Sequence, residues 1–295
     1  MFTVLGATGH TGSLVVTQLL DAGKQVRAVG RDGGKLEALL QRGAEAAVGN
    51  VEDARFIASV LDGAEGVYAL IPPDYSNGDY LGHYQAMGRS IATAAREATV
   101  KRMVFLSSLG AELESDTGPI MGLRLAEREL QEVPGLDLLI LRAGYFYENF
   151  FNTLGLIRHQ GINGGAISPD VPFAMTAARD IATSATRALL AGDFSGVQLR
   201  EVLGPRDYTM TEATRMLGEA IGSPGLPYVR FPDEGFAGSL IANGFAPPVA
   251  QSFVDMARGI SEGRIRPTQG RSAATTGGTP FEGFAQEFAA AYRSA

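Results

Sequence analysis

Phe2-Thr-Val-Leu-Gly-Ala-Thr-Gly-His-Thr-Gly12 is the stretch on which the fold turns. Four strand-forming residues run directly into glycines spaced Gly6-x-x-Gly9-x-x-Gly12. A helix from Thr11 to Ala22 follows, apolar at Leu14, Val15, Leu19 and Leu20. Strand, glycine turn and helix in succession make an anion site. Glycine lets the backbone approach a phosphate, and the helix start presents unpaired N–H groups with a partial positive charge. With 38 glycines in the chain the spacing alone is a weak sign. The flanking elements, and a second strand beginning roughly 20 residues on, make it a dinucleotide loop. Gly6, Ala7, Thr8, Gly9, His10, Thr11 and Gly12 are its candidate cofactor-binding residues; at His10 the backbone matters more than the ring.

Outward from this loop the chain alternates short apolar strands with amphipathic helices. Strands are expected at Gln25–Val29, Ala44–Val48, Val67–Ile71, Arg102–Leu106 and Leu136–Leu141. Helices are expected near Lys35–Gln41, Ala54–Leu61, Tyr80–Glu97 and Gly122–Gln131. Repeated β-α-β with short turns predicts an α/β fold, a Rossmann doubly wound parallel sheet. Past about Tyr145 the rhythm loosens. A helix at Arg179–Leu190 and a strand at Gln198–Leu203 are read as returning to the sheet. Residues 1–145 with about 178–204 therefore form the expected nucleotide-binding domain. About 146–177 and 205–295 form a smaller, mostly helical substrate lobe, closed by a helix over Phe281–Tyr292.

Composition narrows the function. The formal net charge is −7, and lysine occurs only at Lys24, Lys35 and Lys101. No basic face is concentrated enough to displace counterions from nucleic acid. Cysteine is absent and the histidines, His10, His83 and His159, are dispersed, so neither a thiolate nucleophile nor a metal site is expected. No apolar run approaches a bilayer span. A strand already running at Phe2–Leu5 leaves no room for a leader ahead of the fold, and the cytoplasm is the expected location. The oligomeric state is left open.

The end of the second strand reads the cofactor. An acid there accepts from the ribose 2′-hydroxyl of NAD, whereas an arginine pairs with the 2′-phosphate of NADP. Arg31 occupies that tip and Lys35 lies one helical turn on, so NADPH is favoured over NADH. Asp32 would reverse the choice if the register shifted by one.

Four segments resemble the NmrA-like group of atypical short-chain dehydrogenases. They are the glycine loop, Val26-Arg-Ala-Val-Gly-Arg31, Val48-Gly-Asn-Val-Glu-Asp53, and Leu141-Arg-Ala-Gly-Tyr-Phe-Tyr-Glu-Asn149. Weaker echoes at Arg179-Asp-Ile-Ala182 and Thr279-Pro-Phe-Glu-Gly-Phe284 carry the likeness to the C-terminus. The resemblance implies that Asn50 and Val51 form the adenine turn, with Asn50 where the family usually has Asp. It implies that Leu70, Ile71 and Pro72 line the nicotinamide ribose, and that Ser107 and Ser108 border the nicotinamide. Gly144, Tyr145 and Phe146 would pack near the reactive ring. Within the group, Ile71-Pro72-Pro73 and the short C-terminal lobe resemble the bacterial NADPH-dependent quinone reductases and triphenylmethane reductase.

One feature of the wider superfamily is missing. Its tyrosine and lysine, four residues apart on the helix after the fifth strand, pass a proton to a developing alkoxide. No tyrosine occurs between Tyr84 and Tyr145; aligning on Glu127 puts Pro119 and Leu123 at those positions. An alkoxide needs that proton, whereas a delocalised phenolate takes one from water and a cationic dye needs only hydride. The expected activity is therefore hydride transfer from NADPH to a quinone-like or other conjugated acceptor. A non-catalytic NADP(H)-sensing regulator is the alternative, and an epimerase is excluded by the absent tyrosine. No residue is assigned as catalytic; Tyr145, able to donate a hydrogen bond, is the candidate. Pro73, His83, Tyr147 and Asn149 are the acceptor-side candidates, Tyr145 and Tyr147 forming an aromatic slot around Phe146. His83 is read either as facing the cleft or as capped on the surface. Phe231, Phe236 and Phe245 are read as lid or lobe core.

Overall fold

A computed structural model describes residues 1–294. The first half alternates without interruption: β1 (Phe2–Leu5), α1 (His10–Asp21), β2 (Val26–Gly30), α2 (Gly33–Leu40), β3 (Glu45–Val48), α3 (Ala54–Leu61), β4 (Gly66–Ala69), α4 (Tyr80–Glu97), β5 (Arg102–Ser108), α5 (Ile120–Gln131) and β6 (Asp137–Ala143). Then come β7 (Tyr145–Phe146), a 3-10 helix (Tyr147–Thr153), α6 (Leu154–Gln160), β8 (Asn163–Gly165), β9 (Phe173–Thr176), α7 (Ala178–Ala191) and β10 (Val197–Val202). The remainder is β11 (Asp207–Tyr208), α8 (Met210–Ala220), β12 (Tyr228–Arg230), α9 (Asp233–Ala242), α10 (Pro247–Ser261) and α11 (Phe281–Ser294).

Seven strands form one parallel sheet in the order β10-β6-β5-β4-β1-β2-β3. The doubly wound sheet expected from the sequence is present, and its strand order reverses between β1 and β4. Successive side chains of a strand point to opposite faces, and both faces here are covered. Leu5, Val29, Val67, Ala69, Met103, Phe105, Leu138 and Ile140 pack beneath α3, α4 and α5. Their neighbours Phe2, Val4, Val26, Ala28, Tyr68, Val104, Leu139 and Leu141 pack beneath α1, α2 and α7.

A third cluster joins Tyr147, Phe150, Phe173, Tyr208, Phe281, Phe284 and Phe288. It carries two small sheets, β11-β9-β7 and β12-β8, which the sequence reading had not separated from helix and loop. Strands of two to four residues leave too little alternation to read. No helix among the described residues is long and apolar enough to cross a membrane.

The ends of the strands differ from expectation in an informative way. β5 and β6 run two residues further, whereas β4 stops at Ala69 and leaves Leu70 and Ile71 outside the ladder. Those two apolar residues belong to the wall of a cavity, which explains hydrophobicity beyond the last ladder position.

Candidate active site

Ligands of open α/β sheets bind outside the carboxyl ends of the strands, where the strand order reverses. A cavity of about 480 Å³ opens at that point. Gly6 leaves β1 with φ of +71°, a conformation that glycine adopts without strain. Gly12 lies beneath the loop, where an added Cβ would stand 2.2 Å from the Gly6 carbonyl oxygen. The third glycine therefore sets the close approach of α1 to β1. Gly9 is the N-cap of α1 and has no side chain to bond the first-turn N–H groups. Thr8, Gly9, His10 and Thr11 reach the cavity wall. The Thr11 hydroxyl oxygen accepts from buried Tyr68 at 2.8 Å, which leaves its own proton to point at a ligand. This uncapped helix start beside a glycine turn fits a pyrophosphate. Ala7 and Gly12 support it from beneath rather than facing the cavity.

Arg31 stands in the cavity wall at the end of β2, exposed, with no ion-pair partner among the described residues. Asp32 has other work: its carboxylate accepts from Gly34 N at 2.9 Å and caps α2. The carboxylate of Asp32 is thus engaged within the chain, while Arg31 faces the cavity. Lys35 is exposed on α2 and does not line the cavity. Asn50 stands outside it too. Its Oδ1 accepts from Glu52 N at 3.2 Å in a local turn, and only Val51 of that pair reaches the wall.

Leu70, Ile71, Pro72 and Pro73 continue the wall after β4, as do Ser107 and Ser108 at the end of β5 and Gly144, Tyr145, Phe146 and Asn149 after β6. Ser107 is anchored from behind. Its hydroxyl donates to Glu127 Oε1 at 2.5 Å. Arg142 grips both oxygens of Glu127, at 3.0 and 2.7 Å, and reaches Glu112 at 2.9 Å. Burial opposes the charge of Arg142, but its carboxylate partners outweigh that and hold it above its ordinary value. Because the Ser107 proton is committed to Glu127, this serine faces the cavity as an acceptor.

Two expected acceptor-side residues are elsewhere. Tyr147 is fully buried with its ring 4.9 Å from that of Phe281, and its hydroxyl donates to the Thr279 carbonyl at 3.3 Å. Residues two apart share a face only along a strand. β7 ends at Phe146, and the 3-10 helix turns Tyr147 into the third cluster. His83 does not line the cavity; its Nδ1 lies 3.3 Å from Oε1 of Glu52, in the turn before α3. Phe245 packs over Tyr75 at the cavity's edge, while Phe236 packs against the third cluster.

Pro119, Ile120 and Leu123 put the first turn of α5 into the cavity wall, so apolar groups occupy the face where a tyrosine and lysine would have stood. Arg124 turns away, donating to the carbonyls of Ala111 and Glu112. Sequence reasoning missed Tyr75, Tyr80, Tyr84, Phe253 and Met256, all of which line the cavity. Tyr80 and Tyr84, one helical turn apart at the start of α4, were the signal available for two of them. Phe253 and Met256 come from α10, and no local pattern ties that helix to β4. Tyr75 stacks on Phe245 at 4.6 Å and meets Phe253 edge-on at 5.3 Å, closing this end. Burial pushes the Tyr145 phenol up to about 12, and Tyr75, Tyr80 and Tyr84 are raised by burial too.

Sheet order and glycine cradle define a dinucleotide-binding Rossmann protein. An NAD(P)H-binding family model matches residues 6–170, more than half of the chain, and the chain belongs to that family. NAD(P)H azoreductase of Xenophilus azovorans is 29% identical over 76% of this chain and 75% of its own. An NADPH-dependent quinone oxidoreductase of Escherichia coli, solved with NADPH, superposes with a TM-score of 0.81. It is 23% identical, with 97% of this chain and 99% of that one covered. Triphenylmethane reductase of Citrobacter sp. with NADP(H) gives 0.79 at 20% identity, covering 98% of this chain and all of that one. NmrA, a negative transcriptional regulator solved with NADP, gives 0.74 at 15%, covering 99% of this chain and 97% of its own. The resemblance to the NmrA-like group in the sequence is thus matched in the fold.

Proposed function

We propose that the protein is an NADPH-dependent reductase that delivers hydride to a quinone-like or other conjugated acceptor. One observation carries the reading: the dinucleotide groove continues into an aromatic chamber whose α5 wall is Pro119, Ile120 and Leu123. In this reading the N–H groups at the start of α1 and the Thr11 hydroxyl hold the pyrophosphate, and Arg31 pairs with the 2′-phosphate. Ser107, Ser108, Gly144 and Phe146 place the nicotinamide at the chamber mouth. When bound, NADPH supplies two electrons and a proton as hydride.

The residues of the chamber orient the acceptor and exclude water; proximity does the rest. Tyr145, raised to about 12 by burial, stays a neutral hydroxyl that donates a hydrogen bond to an acceptor oxygen. The reduced quinone is a stabilised phenolate that can leave the chamber and take its proton from bulk solvent, so no tyrosine–lysine relay is required. The family resemblance, the azoreductase relative and the quinone and dye reductase folds support this chemistry. The aromatic, uncharged lining beside the dinucleotide groove favours it over a protein that only senses NADP(H).

Steady-state NADPH oxidation with a panel of quinones and dyes tests the proposal. Turnover is expected with at least one class, and turnover no faster than without enzyme for all of them would overturn it. With a good acceptor, kcat/KM should show no tyrosine inflection between about pH 8 and 10, because the raised phenols stay protonated there.

A further inference from the structure

The proposed reductase reading leaves the acceptor's identity open, and the charge distribution around the chamber narrows it. Beyond Ser107 the chamber is walled by Tyr75, Tyr80, Tyr84, Leu123, Phe253 and Met256, none of which carries a formal charge at neutral pH. Among the described residues of the cavity wall, Arg31 at the tip of β2 is the one formally charged at neutral pH, and the carboxylate of Asp74, next to Tyr75, lies close enough to offset that charge. Behind Ser107 the sign is the wrong one for an anion: Glu127 and Glu112 face the guanidinium of Arg142, and nearby Arg124 is paired with Glu114, so carboxylates outnumber cations. The chain as a whole carries −7.

Resting on that reading, we propose that the chamber selects uncharged conjugated carbonyl acceptors and rejects anionic ones of the same shape. A carbonyl oxygen entering it meets neutral phenols that donate hydrogen bonds. Those phenols remain neutral because burial disfavours their ionised form. A sulfonate or carboxylate entering it sheds its water and finds no cation to replace it. The Tyr75–Phe245 stack and the hydrogen bond from Ala246 N to the Tyr75 carbonyl, 2.8 Å, cover this end of the cavity. An anionic substituent is thereby kept from trailing freely into solvent at that side.

The experiment compares a naphthoquinone with the same ring bearing a sulfonate, at saturating NADPH. The sulfonate withdraws electrons, so intrinsic hydride acceptance favours the anion and any preference for the neutral ring comes from the protein. The neutral quinone is expected to lead in kcat/KM by about a hundredfold, the scale set by removing a charge from water without a partner. Met256→Arg should raise kcat/KM for the sulfonate about tenfold by supplying that partner. Leu123→Arg places a cation on a different wall and serves as the second variant, and NADPH calorimetry shows that each variant has folded. Equal kcat/KM for the two quinones, or a lead for the sulfonate, overturns the inference and leaves the reductase reading standing. Turnover of neither quinone, nor of any other acceptor, removes the reductase reading and the inference with it.

Discussion

Arg31 and Asp32 are adjacent and opposite in charge, and their roles separate completely. The carboxylate is committed to the first turn of α2, while the guanidinium stands without an ion-pair partner in the cavity wall. Arg31→Ala should therefore weaken NADPH binding far more than NADH binding, by about 1.5–3 kcal/mol for a lost charge-assisted contact. Calorimetry with both cofactors measures this, and equal losses would show that Arg31 does not read the phosphate. Residue identity alone left the pair ambiguous because capping is a matter of backbone geometry. Tyr147 shows the same limit. Its type and spacing matched an aromatic slot, but a turn begun one residue earlier sends it into the third cluster.

At the level of elements, β5, β6 and α5 are locked together by side chains that none of them announces separately. Ser107 is the last residue but one of β5, Arg142 the last but one of β6, and Glu127 of α5 bonds both. The side chain of Glu127 is 3% exposed and that of Arg142 12%. Removing one partner of a buried pair leaves the other charge undercompensated. Glu127→Ala should cost about 3–5 kcal/mol in urea unfolding. A loss below about 1 kcal/mol would mean that Arg142 finds adequate partners in Glu112 and water. Helix and strand identities were legible from the sequence because their apolar periods are long and distinct. The two small sheets were not, since β7, β8, β9, β11 and β12 are too short to show a period.

Across the whole molecule, the cavity joins the carboxyl edge of the sheet to α10, and the closure between them is aromatic. The loop after β4 gives Tyr75, the turn before α10 gives Phe245, and α10 itself gives Phe253. Phe245→Ala removes a stacked pair worth about 0.5–1.5 kcal/mol beyond its buried area. The KM for the acceptor should rise severalfold while the calorimetric Kd for NADPH stays unchanged. A parallel loss of NADPH affinity would mean that the stack supports the dinucleotide groove instead. The sequence by itself determined the wound sheet, the glycine cradle and the absence of a tyrosine–lysine relay. All three depend on residues close together in the chain, where steric and periodic rules act directly. The tertiary structure alone decided which tyrosines face the chamber, which acid caps a helix, and that α10 closes the far wall. Those outcomes depend on contacts between distant segments, and no local spacing encodes where two such segments meet.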